Sequence, residues 1–115
     1  MRITRAALIT ATEAVRLVEQ GAYLVDIRGE RSREEDGRVP SAVVVDRRQL
    51  DRRFGRDSPD LVPEAADPSR QVIVFCSSER GSGPIAERLA RLGYPFVAHI
   101  EGGFAAWQDA TLPTT

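Results

Sequence analysis

The chain has 115 residues, enough for one domain with its own core and too few for two, so residues 1–115 are read as a single unit. A net charge of −1 gives no reason to expect nucleic acid or an anionic membrane as partner, and no apolar run is long enough to span a bilayer. One cysteine and one histidine exclude an internal disulfide and a zinc site, so neither metal nor cofactor is expected. The free thiol, with no secretory-type apolar stretch behind Met1, fits a reducing cytoplasm.

Thr10 or Thr12 can cap a first helix through Glu13–Gln20, whose apolar residues fall at helical spacing, and Gly21 stops it. Ala22–Ile27 is short, apolar and rich in branched residues, which predicts a buried strand with Asp26 near its end. Arg28 to Gly37 is polar and heavily charged, a loop or a short exposed helix, with Glu30 through Asp36 most simply a solvated loop. A second strand covers Ala42–Val45. Asp46 to Phe54 places Leu50 and Phe54 four residues apart, as a short amphipathic helix does. Residues 55 to 71 carry three prolines among Gly, Asp and Ser, and read as the longest loop. Val72–Phe75 is the most apolar strand, and Cys76 ends it. A polar loop runs from Ser77 to Gly81, a helix from about Pro84 to Leu92, and a fourth strand from Phe96 to Ile100. Gly102-Gly103 turns into a last helix carrying Phe104 and Trp107, which are read as core. Apolar strands alternating with amphipathic helices predict a parallel α/β sheet of four to five strands, covered on both faces. Ligands of such sheets sit at the C-terminal ends of the strands, where Cys76 stands.

Behind the cysteine runs Ser77-Ser78-Glu79-Arg80-Gly81-Ser82-Gly83-Pro84. A small, polar, glycine-containing link from strand to helix can curl its N–H groups inward as a nest for an anion, and the helix N-terminus adds partial positive charge. A thiolate, a persulfide or a donor's oxyanion would be stabilised there without an adjacent base. Many strand-end cysteines are small core fillers, yet a core cysteine needs no such polar run behind it. The expected substrate-binding positions are Ser77, Ser78, Glu79, Arg80, Gly81 and Ser82. The arginines at 47, 48, 52, 53 and 56 form a basic cluster whose default is a solvated face. A site handling sulfur anions benefits from a guanidinium, so Arg47 or Arg53 is assigned to it. Asp26 and Arg28 are read as a structural ion pair, and His99, inside a strand, as a satisfied structural histidine.

The run from Cys76 to Trp107 resembles the C-terminal half of a rhodanese domain. In that pattern an apolar strand ends in Cys, a six-residue loop counted from the Cys leads to Ser or Thr, and a helix, a strand and Gly-Gly-x-x-x-Trp follow. Ser82, Ala86, Leu89, Gly93, Val97, Ile100, Gly102, Gly103, Ala106 and Trp107 fall in place without a gap. Leu24-Val25-Asp26-Ile27-Arg28 is similar to the family's Asp-x-Arg strand end, and Gly37-Arg38-Val39-Pro40-Ser41-Ala42 to its Gly-His-Ile-Pro-Gly-Ala motif. The resemblance covers about residues 9 to 113. It implies a three-layer rhodanese-like fold and a sulfurtransferase that carries sulfane sulfur as a Cys76 persulfide. Donor and acceptor would be small molecules, the acceptor a thiol or cyanide, with a sulfur-carrier protein as a further candidate. The chain departs from the pattern at Glu79, where the loop usually has glycine, and at Gly81, where an Arg is common. Arg38 stands for the usual His, and Ser41 for the following Gly. Glu79 is expected to oppose thiosulfate, and Arg80 to offset it. The segment from Asp46-Arg47-Arg48 to Phe54 resembles a rhodanese-like subgroup in which an Asp-Arg pair precedes a short helix.

Two other readings remain open. One is a non-catalytic or sensory rhodanese module that binds a partner. The other is a phosphatase of the related cell-cycle type, which needs Cys, five residues, then Arg. The sixth residue after Cys76 is Ser82, and Arg80 comes too early, so this reading is disfavoured.

Overall fold

The strands are short and carry side chains to both faces, so their apolar residues divide between two cores. In the computed structural model, which describes residues 6–111, five parallel strands are β1 (Ala7–Ile9), β2 (Tyr23–Asp26), β3 (Val43–Val44), β4 (Val72–Phe75) and β5 (Val97–Ile100), in the order β1-β5-β4-β2-β3. The helices are α1 (Ala11–Glu19), α2 (Glu30–Asp36), α3 (Leu50–Phe54), α4 (Glu79–Arg91) and α5 (Gly103–Thr111), with 3-10 turns at Arg47–Gln49 and Pro63–Ala65. Val25, Val72, Val74 and Val97 face α3 and α4 through Leu50, Phe54, Ala86 and Leu89. Leu24, Ile73, Phe75, Ala98 and Ile100 face α1 and α5 through Ala11, Ala14, Phe104 and Trp107. This is the expected three-layer α/β arrangement. Among the described residues no helix is long and apolar enough to cross a membrane.

The structure refines three expectations. The fifth strand is β1 at the sheet edge. Its residues are exposed or half-buried, Leu8 among them, so it lacks the apolar signal of the inner strands. The charged 30–36 run is helical. Arg33 is buried there, donating through Nη1 to the Arg28 carbonyl and through Nη2 to Glu30 at 3.0 Å. Finally, α4 begins at Glu79, not near Pro84, with Ser78 at its N-cap. Gly81, Ser82 and Gly83 fall outside the expected helix, but with Pro84 they lie in the first two turns of α4. Pro84, inside the helix, forgoes the bond its missing N–H would make to the carbonyl of the exposed Arg80.

The five-residue helix α3 would not persist alone. Burial of Leu50 and Phe54 contributes about 2 kcal/mol for each and holds it on the sheet. Tyr94 Oη donates to the Phe54 carbonyl at 2.6 Å, and Arg88 Nε on α4 donates to Asp51 Oδ1 on α3 at 3.0 Å. These ties fix α3 and the turn before it against α4. That geometry positions the site.

Candidate active site at Cys76

Parity places Cys76 on the α3/α4 side of the sheet. It follows Val72 and Val74, which point that way, and it is 8% exposed. Three neighbours define its surroundings. Arg47 Nη2 lies 3.3 Å from Sγ. Gly81, in the first turn of α4, is packed so closely that a Cβ there would lie 2.7 Å from Sγ and 3.5 Å from Arg47 Nη2. The α5 N-terminus closes the third side, where Phe104 N donates to the Cys76 carbonyl at 2.9 Å. Gly103 permits this approach. Its φ is +64°, and a Cβ would come within 2.6 Å of the Ser77 carbonyl oxygen.

The guanidinium therefore comes from outside the 76–82 run. Asp46 accepts from Arg48 N at 2.8 Å and starts the 3-10 turn that projects Arg47 toward the strand end. The hydrogen bond from the Arg48 side chain holds the Asp46 carboxyl down to about 2, so Asp46 stays charged. The loop arginine common in the resembled pattern is missing at position 81. The space a side chain would fill there is taken by Sγ and the Arg47 guanidinium.

The other assigned residues fall as follows. Arg53 Nη1 turns to the Asp60 carbonyl at 3.1 Å, so Arg47 is the member of the basic cluster that meets the thiol. Ser77, Ser78 and Arg80 are exposed around the strand end. Glu79 is half-buried and accepts from Gly102 N at 3.3 Å, tying α4 to the turn before α5. Gly81 N bonds to the Ser78 carbonyl at 3.1 Å within the helix start rather than contributing to an open loop. Ser82 is fully buried, and its Oγ shares a 3.0 Å hydrogen bond with His99 Nδ1. Burial pushes the His99 imidazole below its usual range, against the opposing pull of Glu79 and Glu87. His99 is thus engaged with Ser82, as a structural histidine would be.

Beneath the site, Arg28 and Asp26 form a two-pronged pair at 3.0 and 2.8 Å with both side chains buried. The Arg28 guanidinium lies 3.9 Å from the Phe104 ring centroid, so the pair braces the sheet end against α5. The sequence reading pairs Asp26 with Arg28, as the structure has them, but nothing in the spacing gave the stack on Phe104.

The rhodanese-like domain family matches residues 10–110. The thiosulfate sulfurtransferase GlpE of Pseudomonas syringae pv. syringae is 30% identical over 100 residues, 87% of this chain and 85% of the relative. An uncharacterized protein of Synechocystis is 34% identical over 61 residues, which are 53% of this chain and 33% of that protein's length. A solved protein of unknown function from Rhodopseudomonas palustris, described as a possible tyrosine phosphatase, superposes with a TM-score of 0.82 at 31% identity, covering 96% of this chain and 85% of that one. A rhodanese-related protein of Thermoplasma volcanium shares the fold, with a TM-score of 0.69 at 17% identity over 95% of this chain and 97% of its own. The match over residues 10–110 places the chain in the rhodanese-like domain family.

Proposed function

We propose that the protein is a sulfurtransferase, of the thiosulfate type, that moves sulfane sulfur from a small donor to a thiophilic acceptor through a persulfide on Cys76. The observation that carries this reading is the Arg47 contact to Sγ at the C-terminal end of β4. A guanidinium on sulfur favours the anionic forms through which sulfur exchange runs. In the first step the Cys76 thiolate attacks the outer sulfur of thiosulfate. The new S–S bond forms as the old one breaks, and the electron pair leaves with sulfite. In the second step a nucleophile, cyanide or a thiolate, attacks the outer sulfur of the persulfide. The pair returns to Sγ, and Cys76 is ready again. Arg47 stays beside a sulfur that is anionic at both ends of the cycle. Ser77, Ser78 and Arg80 would line the donor's approach. A sulfur-carrier protein would serve as acceptor in the same second step. The free thiol fits a reducing cytoplasm.

Thiocyanate release from thiosulfate and cyanide tests this reading. Activity should vanish in Cys76→Ser and fall about tenfold in Arg47→Gln, the size of one lost charge-assisted hydrogen bond. Turnover by Cys76→Ser at the normal rate would overturn it. The likeness to a possible tyrosine phosphatase calls for p-nitrophenyl phosphate as a control. No hydrolysis is expected, because the loop position that carries the phosphate-clamping arginine in such enzymes is Ser82.

A further inference from the structure

A cleft of about 420 Å³, joined to the thiol through Arg47, opens at the C-terminal ends of β2 and β3. Its wall includes Arg28, Arg33, Arg47 and Arg48 with Glu30 and Asp46. Asp26 answers Arg28, Glu30 answers Arg33, and Asp46 answers Arg48. Arg47 has no carboxylate partner among the described residues. Its Nη2 is on Cys76, while its Nε and Nη1 make no hydrogen bond there. Four guanidiniums meet three carboxylates, and the unanswered one touches the reactive sulfur. Arg28 Nη1 and Arg33 Nε, buried behind the wall, also lack an acceptor. The surplus is of donors and of positive charge. The volume falls in the range of sites for small organic ligands, well beyond what an inorganic sulfur anion fills.

We infer that this cleft receives the carboxylate of a low-mass organic thiol that accepts sulfur from Cys76, an inference that rests on the transfer reading above. The carboxylate takes one free edge of the Arg47 guanidinium, Nε–H or Nη1–H together with the Nη2–H that Cys76 leaves free. This sets the thiol, a short carbon chain away, next to the persulfide. The acceptor's thiol proton passes to solvent, and its thiolate attacks the outer sulfur. The new S–S bond forms as the Cys76 S–S bond breaks, with the electron pair returning to Sγ and the persulfide's proton staying on the transferred sulfur. Asp46 and Arg48, at the cleft rim, tune its field without touching the thiol.

Two readouts test the inference. On the unloaded enzyme, alkylation of Cys76 by iodoacetate is compared with iodoacetamide, and the ratio is divided by the same ratio for free 2-mercaptoethanol. The anionic reagent should be favoured about fivefold, the scale of one partly exposed ion pair. Arg48→Gln should lower that preference and Asp46→Asn should raise it, each iodoacetate rate being divided by the same variant's iodoacetamide rate. Added salt should weaken the preference. On the loaded enzyme, discharge by 3-mercaptopropionate, 2-mercaptoethanol and cysteamine should rank anionic, neutral, cationic, after each rate is divided by that thiol's rate on a small aromatic disulfide. Charge-blind alkylation, or a preference indifferent to both rim variants, overturns the inference, and so does charge-blind discharge of a loaded enzyme. If no donor loads sulfur, the transfer reading falls and takes this acceptor with it, while the alkylation ratio still reports the cleft's charge.

Discussion

Gly81 is where a single methyl group should separate stability from reactivity. An alanine Cβ would lie 2.7 Å from Cys76 Sγ and 3.1 Å from Cys76 Cβ. Apolar atoms rest at about 3.5–4.0 Å, so the sulfur or the helix must give by roughly 1 Å. Two energies oppose each other. Position 81 lies within α4, where alanine is favoured over glycine by about 1 kcal/mol. Overpacking a filled site costs about 1–3 kcal/mol. The net should be a loss of about 0–2 kcal/mol, and the fold survives. The Arg47 contact does not. At 3.3 Å it cannot absorb a displacement of that size and remain a hydrogen bond. Losing one charge-assisted bond should slow alkylation of Cys76 by iodoacetamide at neutral pH about tenfold. Urea unfolding and alkylation kinetics on the same Gly81→Ala preparation give both numbers. A stable variant that alkylates at the parent rate would show that Sγ does not rest against Gly81 and Arg47, and the site as described would fall.

Asp26→Ala should cost about 3–5 kcal/mol in urea unfolding, because it leaves the buried Arg28 guanidinium without its counter-charge; a loss below about 1 kcal/mol would refute the brace. Gly103→Ala should destabilise by about 3 kcal/mol and slow Cys76 alkylation, since a side chain at φ +64° is strained and collides with the Ser77 carbonyl; parent-like values on both would contradict the close approach. His99 binds its proton less readily folded than unfolded, so the unfolded chain holds more protons and stability falls as pH drops below about 6.5. His99→Gln should flatten that acid-side loss while leaving the pH dependence of Cys76 alkylation unchanged, because the imidazole bonds Ser82 and not the thiol. A shift of the alkylation profile would reveal a Cys–His pair.

The sheet was legible because buried parallel strands announce themselves. Val72–Phe75 is wholly apolar and wholly buried, and the Leu50/Phe54 spacing is enough to read α3. The edge strand β1 was silent for the same reason, since a half-solvated strand of three residues needs no apolar signal. At the site, the sequence located Cys76 and narrowed the guanidinium to Arg47 or Arg53, but not which of the two. Choosing between them depends on how a 3-10 turn capped by Asp46 aims successive side chains, and that is set by the anchoring of Leu50 and Phe54 in the core. The expected start of α4 falls only near Pro84, because the two glycines before it break isolated helices and proline suits a helix's first turn. Here Gly81 is in the helix to make room for sulfur, a reason that lies in the tertiary contact. Glu79, read as an obstacle to anions, has a second part that its position gave no sign of: it accepts from the Gly102 amide in the turn before α5.

The central claim is that Cys76 carries the transferred sulfur. Intact-protein mass spectrometry after brief exposure to a sulfane donor, with thiosulfate, mercaptopyruvate and polysulfide tried in parallel, tests it directly. The account predicts a gain of one sulfur atom, absent in Cys76→Ser, reduced in extent at short times in Arg47→Gln, and lost on adding a thiol or cyanide. No adduct with any of the three donors, or an equal adduct on Cys76→Ser, would contradict it.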